Sequence, residues 1–178
     1  MDYFSKRLFI PRVDESDKEI EPVERWSAHE KGILHRGFTI CLMYKSSPIL
    51  QHRKHPAFDG YFDLTCSSHP TVDDGKTQNL EEAVKFTLER EWYLKQNMYS
   101  KPLNKGKFTY EARDPKSNLV EHEVCHFFTT SISSLPTFNL EFAYGFSVVN
   151  VDVIKNPQWK GQALLTPWAK KIVGLDFI

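Results

Sequence analysis

Apolar positions along this chain follow two rhythms. Alternation with a period of two, rich in Val, Ile, Phe, Tyr and Thr, predicts strands at Leu8–Val13, Gly37–Tyr44, Ile49–His52, Tyr61–Ser67, Lys107–Ala112, Glu121–Thr130 and Phe146–Val151. Turn chemistry at Ser46-Ser47-Pro48, Asp59-Gly60 and Asp114-Pro115 separates several of them. The helical rhythm is clear once. Ala83, Val84, Leu88 and Trp92 share a face, with Asn79 placed to cap the first turn and Glu82 in the capping-box position. A shorter helix is expected after Pro167, a residue that suits the first helical turn. Strands gathered around one long helix predict an α+β domain or an α/β/α sandwich, and periodicity alone does not choose between them. With no repeat, low-complexity tract or interdomain linker, residues 1–178 read as one domain, long enough to bury a substantial core.

Charge narrows the partners. The 23 basic and 23 acidic residues cancel, so no global field draws the chain to nucleic acid or to a membrane surface. Any anion must be held by local basic clusters, and the oligomeric state stays open. Cys41, Cys66 and Cys125 are an odd set without disulfide-framework spacing. The opening residues Met1–Arg7 lack the apolar run of a signal peptide, and no later stretch is apolar enough to span a bilayer. A reducing cytoplasm is the expected compartment.

The candidate chemistry lies in His29, His35, His69, Glu121 and Glu123. Three imidazoles and two carboxylates supply neutral nitrogen and anionic oxygen donors, a set that suits Zn²⁺ or Mn²⁺ better than Ca²⁺. In a strand over Glu121–Thr130, the period of two places Glu121 and Glu123 on one face. The same stretch contains His122-Glu123-Val124-Cys125-His126, a match to the zinc-protease motif H-E-x-x-H. That chemistry needs a helix. The flanks Leu119-Val120 and Phe127-Phe128-Thr129-Thr130 favour a strand, on which both histidines point away from Glu123.

In sequence order, these motifs resemble the type I isopentenyl-diphosphate isomerases, which have a Nudix fold. Val13–Lys18 is similar to the family's opening hairpin, and Ala28-His29 and His35-Arg36-Gly37-Phe38 to the segments carrying its first two metal histidines. Phe58–Phe62 leads into Cys66-Ser67-Ser68-His69-Pro70, similar to the family's Cys-Ser-His-Pro or Cys-Gly-His-Pro. Tyr110–Pro115, Glu121–Cys125 and Thr166-Pro167-Trp168 complete the series. The resemblance implies an α/β/α sandwich with a mixed sheet flanked by helices. It also implies metal-dependent movement of a double bond, converting isopentenyl diphosphate to dimethylallyl diphosphate.

By the same resemblance, His29, His35, His69, Glu121 and Glu123 hold one divalent ion (Mn²⁺ or Zn²⁺, with Mg²⁺ also open). Glu91 binds a Mg²⁺ ion together with the substrate's diphosphate. Glu123 is one proton-transfer group, assisted by Tyr110, and Trp168 lays its π face against a cationic intermediate. Arg25, Arg53, Lys54 and Ser68 are the implied substrate-binding residues. Nudix hydrolases carry R-E-U-x-E-E-x-G on their metal helix; here the stretch is Phe86–Tyr93, and only Glu91 stays in register.

Three departures stand out. The family's second proton-transfer group is a cysteine two residues before the histidine of the Cys-x-His-Pro motif, and this position is Ser67. Cys66, one residue earlier on a strand, faces the other way. The loop Lys54–Phe58 is shorter than usual, which makes Lys54 the nearest counterpart of a loop lysine, and a basic helix position of some members is Thr87. These departures keep two alternatives open: a Nudix-fold protein acting on another prenyl diphosphate, and a diphosphate-binding module without catalysis.

Overall fold

The sheet is organised around β3 (His35–Tyr44), the longest run of buried positions in the first half of the chain. The computed structural model describes residues 2–175, 177 and 178. Along one edge β3 pairs in parallel with β10 (Val120–Ile132), from His35 opposite Glu123 to Tyr44 opposite Ile132. Its other edge takes β1 (Phe9–Val13), β6 (Cys66–Ser68) and β4 (Ser47–Arg53) in turn, all antiparallel. Next to β1 lies β2 (Glu19–Glu24), forming the expected opening hairpin. β4 also carries β5 (Phe62–Asp63) and, as its antiparallel neighbour, β11 (Ala143–Val148). β9 (Leu103–Arg113) pairs antiparallel with β10. A separate small hairpin joins β7 (Val72–Asp73) to β8 (Lys76–Thr77).

Alternation along β3 divides the core into two layers. Phe38, Ile40 and Leu42 face α2 (Leu80–Trp92), where they meet Val84, Leu88, Trp92 and Cys66. Cys41 faces the opposite side with Phe127, Leu165, Ile154 of α3 (Val151–Lys155), and Trp168, Ala169 and Ile172 of α4 (Pro167–Gly174). Helices on both faces of a mixed sheet settle the choice that periodicity left open. α2 starts as its sequence requires, with the Asn79 side chain accepting from the Glu82 amide, and α4 begins with Thr166 as cap and Pro167 in its first turn.

Several boundaries differ from those expected. The single strand Tyr61–Ser67 is split into β5 and β6. The Thr65 hydroxyl accepts from the Leu42 amide and donates to the Ile49 carbonyl, so a side chain replaces the backbone ladder at the break. Phe146–Val151 ends early because Asn150 caps α3 through its side chain. α1 (Arg25–Lys31), capped by Glu24 and stopped by Gly32 in the left-handed region (φ 62°), carries too few apolar residues to show a helical stripe. β2 is an exposed, charged edge strand, which hides it from a search for apolar alternation. No helix among the described residues is long and apolar enough to cross a membrane.

Candidate active site

Four elements bring the candidate metal-binding side chains together. His29 comes from α1, His35 from the start of β3, His69 from the residue after β6, and Glu121 and Glu123 from one face of β10. One donor atom from each of His29, His35, His69 and Glu121 lies within 4.8 Å of the others. Glu123 borders the group, its Oε1 being 2.9 Å from His69 Nε2 and 3.8 Å from His35 Nε2. His29 Nδ1 is 2.7 Å from the Arg25 carbonyl and His35 Nδ1 is 2.7 Å from the Ile33 carbonyl. A backbone carbonyl on Nδ1 requires the proton there, so Nε2, 3.2 Å from Glu121 in His29 and 3.2 Å from His69 Nε2 in His35, is the nitrogen turned to the cluster and the one that could bind a metal after losing its proton. The H-E-x-x-H histidines point elsewhere, with His122 on the Gly32 carbonyl and His126 on Asp17, 2.8 Å away. The strand therefore excludes the zinc-protease geometry, as expected.

Burial puts these groups in conflict with one another. It favours neutral imidazole, and the neighbouring histidines add to the effect, so His35 is held well below its ordinary range and His69 falls to about 3. His29 is the exception. Burial pushes it down, but the Glu121 carboxylate at 3.2 Å outweighs this and raises it to about 9. The same pairing holds Glu121 below the carboxylate range despite burial, while burial and the charge of Glu121 push Glu123 well above it. His29 supplies one positive charge, paired with Glu121, while the second buried carboxylate, Glu123, faces only imidazoles held neutral. The donor set, the Nε2 atoms turned to the cluster and the unmatched second carboxylate all fit a divalent cation.

Glu123 is tightly placed. Tyr110 donates to its Oε2 at 3.0 Å, and Gly37 lies directly beneath its carboxylate, where any Cβ would collide with it. The glycine of His35-Arg36-Gly37-Phe38 is thus required by a close approach, not by a turn.

Ser67 and Cys66 face opposite sides of the sheet. Ser67 Oγ accepts from Trp168 Nε1 at 3.0 Å and shares a hydrogen bond with Thr39 Oγ1 at 2.8 Å, within the same cleft as Glu123. The Cys66 side chain is wholly buried under α2, and burial pushes its thiol pKa well above normal. Trp168 is also buried; its indole N–H reaches Asp63 as well, and its ring packs against Phe58 and Tyr110.

The basic residues separate into two groups. Arg25 lines the cleft and donates through Nη2 to the carbonyls of Tyr3, Phe4 and Lys6. Arg53 also lines it, but its guanidinium is committed to Asp63 at 2.8 Å and lies over the Trp168 ring. Lys54, expected to bind substrate, is not among the residues lining the cleft; it is exposed and donates to the Leu140 carbonyl. Ser68 and Glu91 both face the cleft, and Glu91 is buried on α2, 2.8 Å from Arg90. Sequence reading did not single out Arg90, His55, Tyr3 or Phe4, all of which line the same space. Arg90 was legible in principle, standing three residues after Thr87 on the flank of α2 that carries Glu91.

Comparison with known proteins agrees with this geometry. No family model matches the chain. Isopentenyl-diphosphate Delta-isomerase 2 of Photorhabdus laumondii is 30% identical over 170 residues, spanning 93% of this chain and 90% of the relative. The chain belongs to the isopentenyl-diphosphate isomerase family. The human isopentenyl-diphosphate delta-isomerase 2 is 26% identical over 179 residues, covering 90% of this family member and 78% of the human protein. Among solved structures, DR0079 of Deinococcus radiodurans superposes with a TM-score of 0.69 at 15% identity, over 96% of this chain and 98% of that one. A MutT NUDIX hydrolase from Burkholderia pseudomallei gives 0.55 at 16% identity, over 79% and 96%. Those structural likenesses establish the Nudix fold for this isomerase-family chain.

Proposed function

We propose that this protein interconverts isopentenyl diphosphate and dimethylallyl diphosphate, with residues 1–178 acting as a single Nudix-type domain. The observation that carries the reading is the convergence of Glu123, bonded to Tyr110, and Ser67, bonded to Trp168, on one cleft that also holds Arg25 and Glu91. A divalent ion held by His29, His35, His69, Glu121 and Glu123 would supply the positive charge that keeps both carboxylates ionised. Glu91 would hold a Mg²⁺ ion that neutralises the substrate's diphosphate, since such sites commonly use one or two carboxylates plus phosphate oxygens.

Movement of the double bond needs one proton added at the terminal carbon and one removed from the carbon on the far side of the cationic centre. Glu123 can hold or accept a proton at its carboxylate, and the Tyr110 hydroxyl fixes its orientation. Ser67 is the second polar group, its hydroxyl oriented by Thr39 and Trp168. The indole wall tolerates positive charge. Proton and phosphorus NMR on isopentenyl diphosphate with Mg²⁺ and Zn²⁺ tests the reaction. Dimethylallyl diphosphate should form with its P–O–P linkage intact, and formation should stop on chelation. Release of inorganic phosphate or pyrophosphate would instead make the protein a hydrolase.

The contact beneath Glu123 gives a second expectation. Gly37→Ala should displace the carboxylate by a fraction of an ångström or more and reduce turnover by about 10²-fold, the cost of misplacing a reacting group. Steady-state assay alongside thermal melting checks this, and unchanged turnover in the folded variant would argue that Glu123 does not take part.

A further inference from the structure

Beside the metal cluster, the cleft contains a pair of guanidiniums whose charge is only half matched. Arg90 is half-buried on α2 and donates through Nη2 to Glu91 Oε1 at 2.8 Å, Ser68 Oγ at 3.1 Å and Thr87 Oγ1 at 3.2 Å. Arg25 reaches the same space from α1, with backbone carbonyls as its acceptors. A single aromatic ring joins them: the Cζ of Arg90 lies 4.1 Å and that of Arg25 4.9 Å from the centroid of Tyr3. The Nε atoms of both arginines are buried and find no acceptor in the protein. Glu91 is the carboxylate bonded to Arg90, Glu121 and Glu123 belong to the candidate metal cluster of the same cleft, Glu24 is engaged in capping α1 and Asp63 is taken by Arg53. Two planar cations with unused donors, of which only Arg90 is bonded to a carboxylate, form a site for an anion with several acceptor oxygens.

We propose that Arg90 is a substrate-binding residue that grips the diphosphate together with Arg25, while Tyr3 keeps the two guanidiniums stacked and apart. This rests on the diphosphate reading of the cleft, and it supplies from position 90 a cation that Lys54 does not provide. Ser68, held by Arg90, acts as its positioning partner rather than as an independent phosphate ligand.

The test uses magnesium pyrophosphate as probe, titrated calorimetrically into the full chain, with kcat and KM for isopentenyl diphosphate measured alongside. Arg90→Gln should weaken pyrophosphate binding by about tenfold or more, the scale of a lost charge-assisted hydrogen bond, and should raise KM more than it lowers kcat. Lys85→Gln, an exposed lysine on the same helix, should match wild type in both. Pyrophosphate affinity unchanged in Arg90→Gln would overturn the proposal, including a case where only melting temperature and kcat fall. If Arg90→Gln does not fold, Arg90→Met decides, because it keeps the apolar stem beside Tyr3 and removes the cation: weaker pyrophosphate binding supports the proposal and unchanged binding overturns it. Wild-type protein that binds no pyrophosphate also overturns it. Arg90-dependent binding by a protein that fails to isomerise would defeat the reaction while leaving the subsite standing.

Discussion

Replacing Glu123 with Gln is expected to slow isomerisation by roughly 10²–10⁴-fold, the usual worth of a positioned acid or base. The change is nearly isosteric, and the amide can still meet the Tyr110 hydroxyl 3.0 Å away. It also removes one of two buried carboxylates that repel each other, Glu123 being pushed well above the carboxylate range by burial and by Glu121. The unfolding temperature without added metal should therefore be no lower than that of wild type. A large loss of activity with an unchanged or raised melting temperature separates a role in proton transfer from a role in folding. Circular dichroism melts and steady-state assay of the same preparation provide both readings.

Ser67→Cys is expected to act in the opposite direction, raising turnover by at least about tenfold with little change in substrate binding. A thiol titrates at about pH 8.5, far below an alkanol hydroxyl, and gives up a proton more readily. The new thiol would occupy the space between Thr39 and Trp168, on the cleft face of β6. Cys66 cannot serve in its place, because antiparallel pairing sets it opposite Ile40 on the α2 face while Ser67 stands opposite Thr39. Cys66→Ala should accordingly leave turnover nearly intact. Loss of activity in Cys66→Ala, with no gain in Ser67→Cys, would place the proton-transfer group one residue earlier than the fold allows.

The sequence made the fold legible where a residue's environment repeats along an element. Ala83, Val84, Leu88 and Trp92 announced α2, and the alternation of Glu121 and Glu123 with His122 revealed the strand and its faces. The five candidate metal-binding residues were legible for a different reason: three imidazoles and two carboxylates together make a metal donor set, and the family resemblance ordered them. What escaped was whatever depended on chain segments meeting in space. Arg90 carries no sign in its neighbours that Tyr3 would stack on it, and His55 none that it would pack against Phe4. Lys54 has the right charge and position in sequence, yet its side chain turns to the Leu140 carbonyl. α1 was hidden because its buried face consists of Arg25, Ala28 and His29, a functional face with little apolar content.

Incubation of isopentenyl diphosphate with the metal-loaded protein in deuterated water, followed by mass spectrometry of the recovered diphosphates, tests the account most directly. Solvent deuterium should enter substrate carbon with wild-type protein, faster with Ser67→Cys and scarcely at all with Glu123→Gln. Recovery of unlabelled isopentenyl diphosphate from the wild-type reaction, with metal bound and diphosphate saturating, would contradict proton transfer in this cleft.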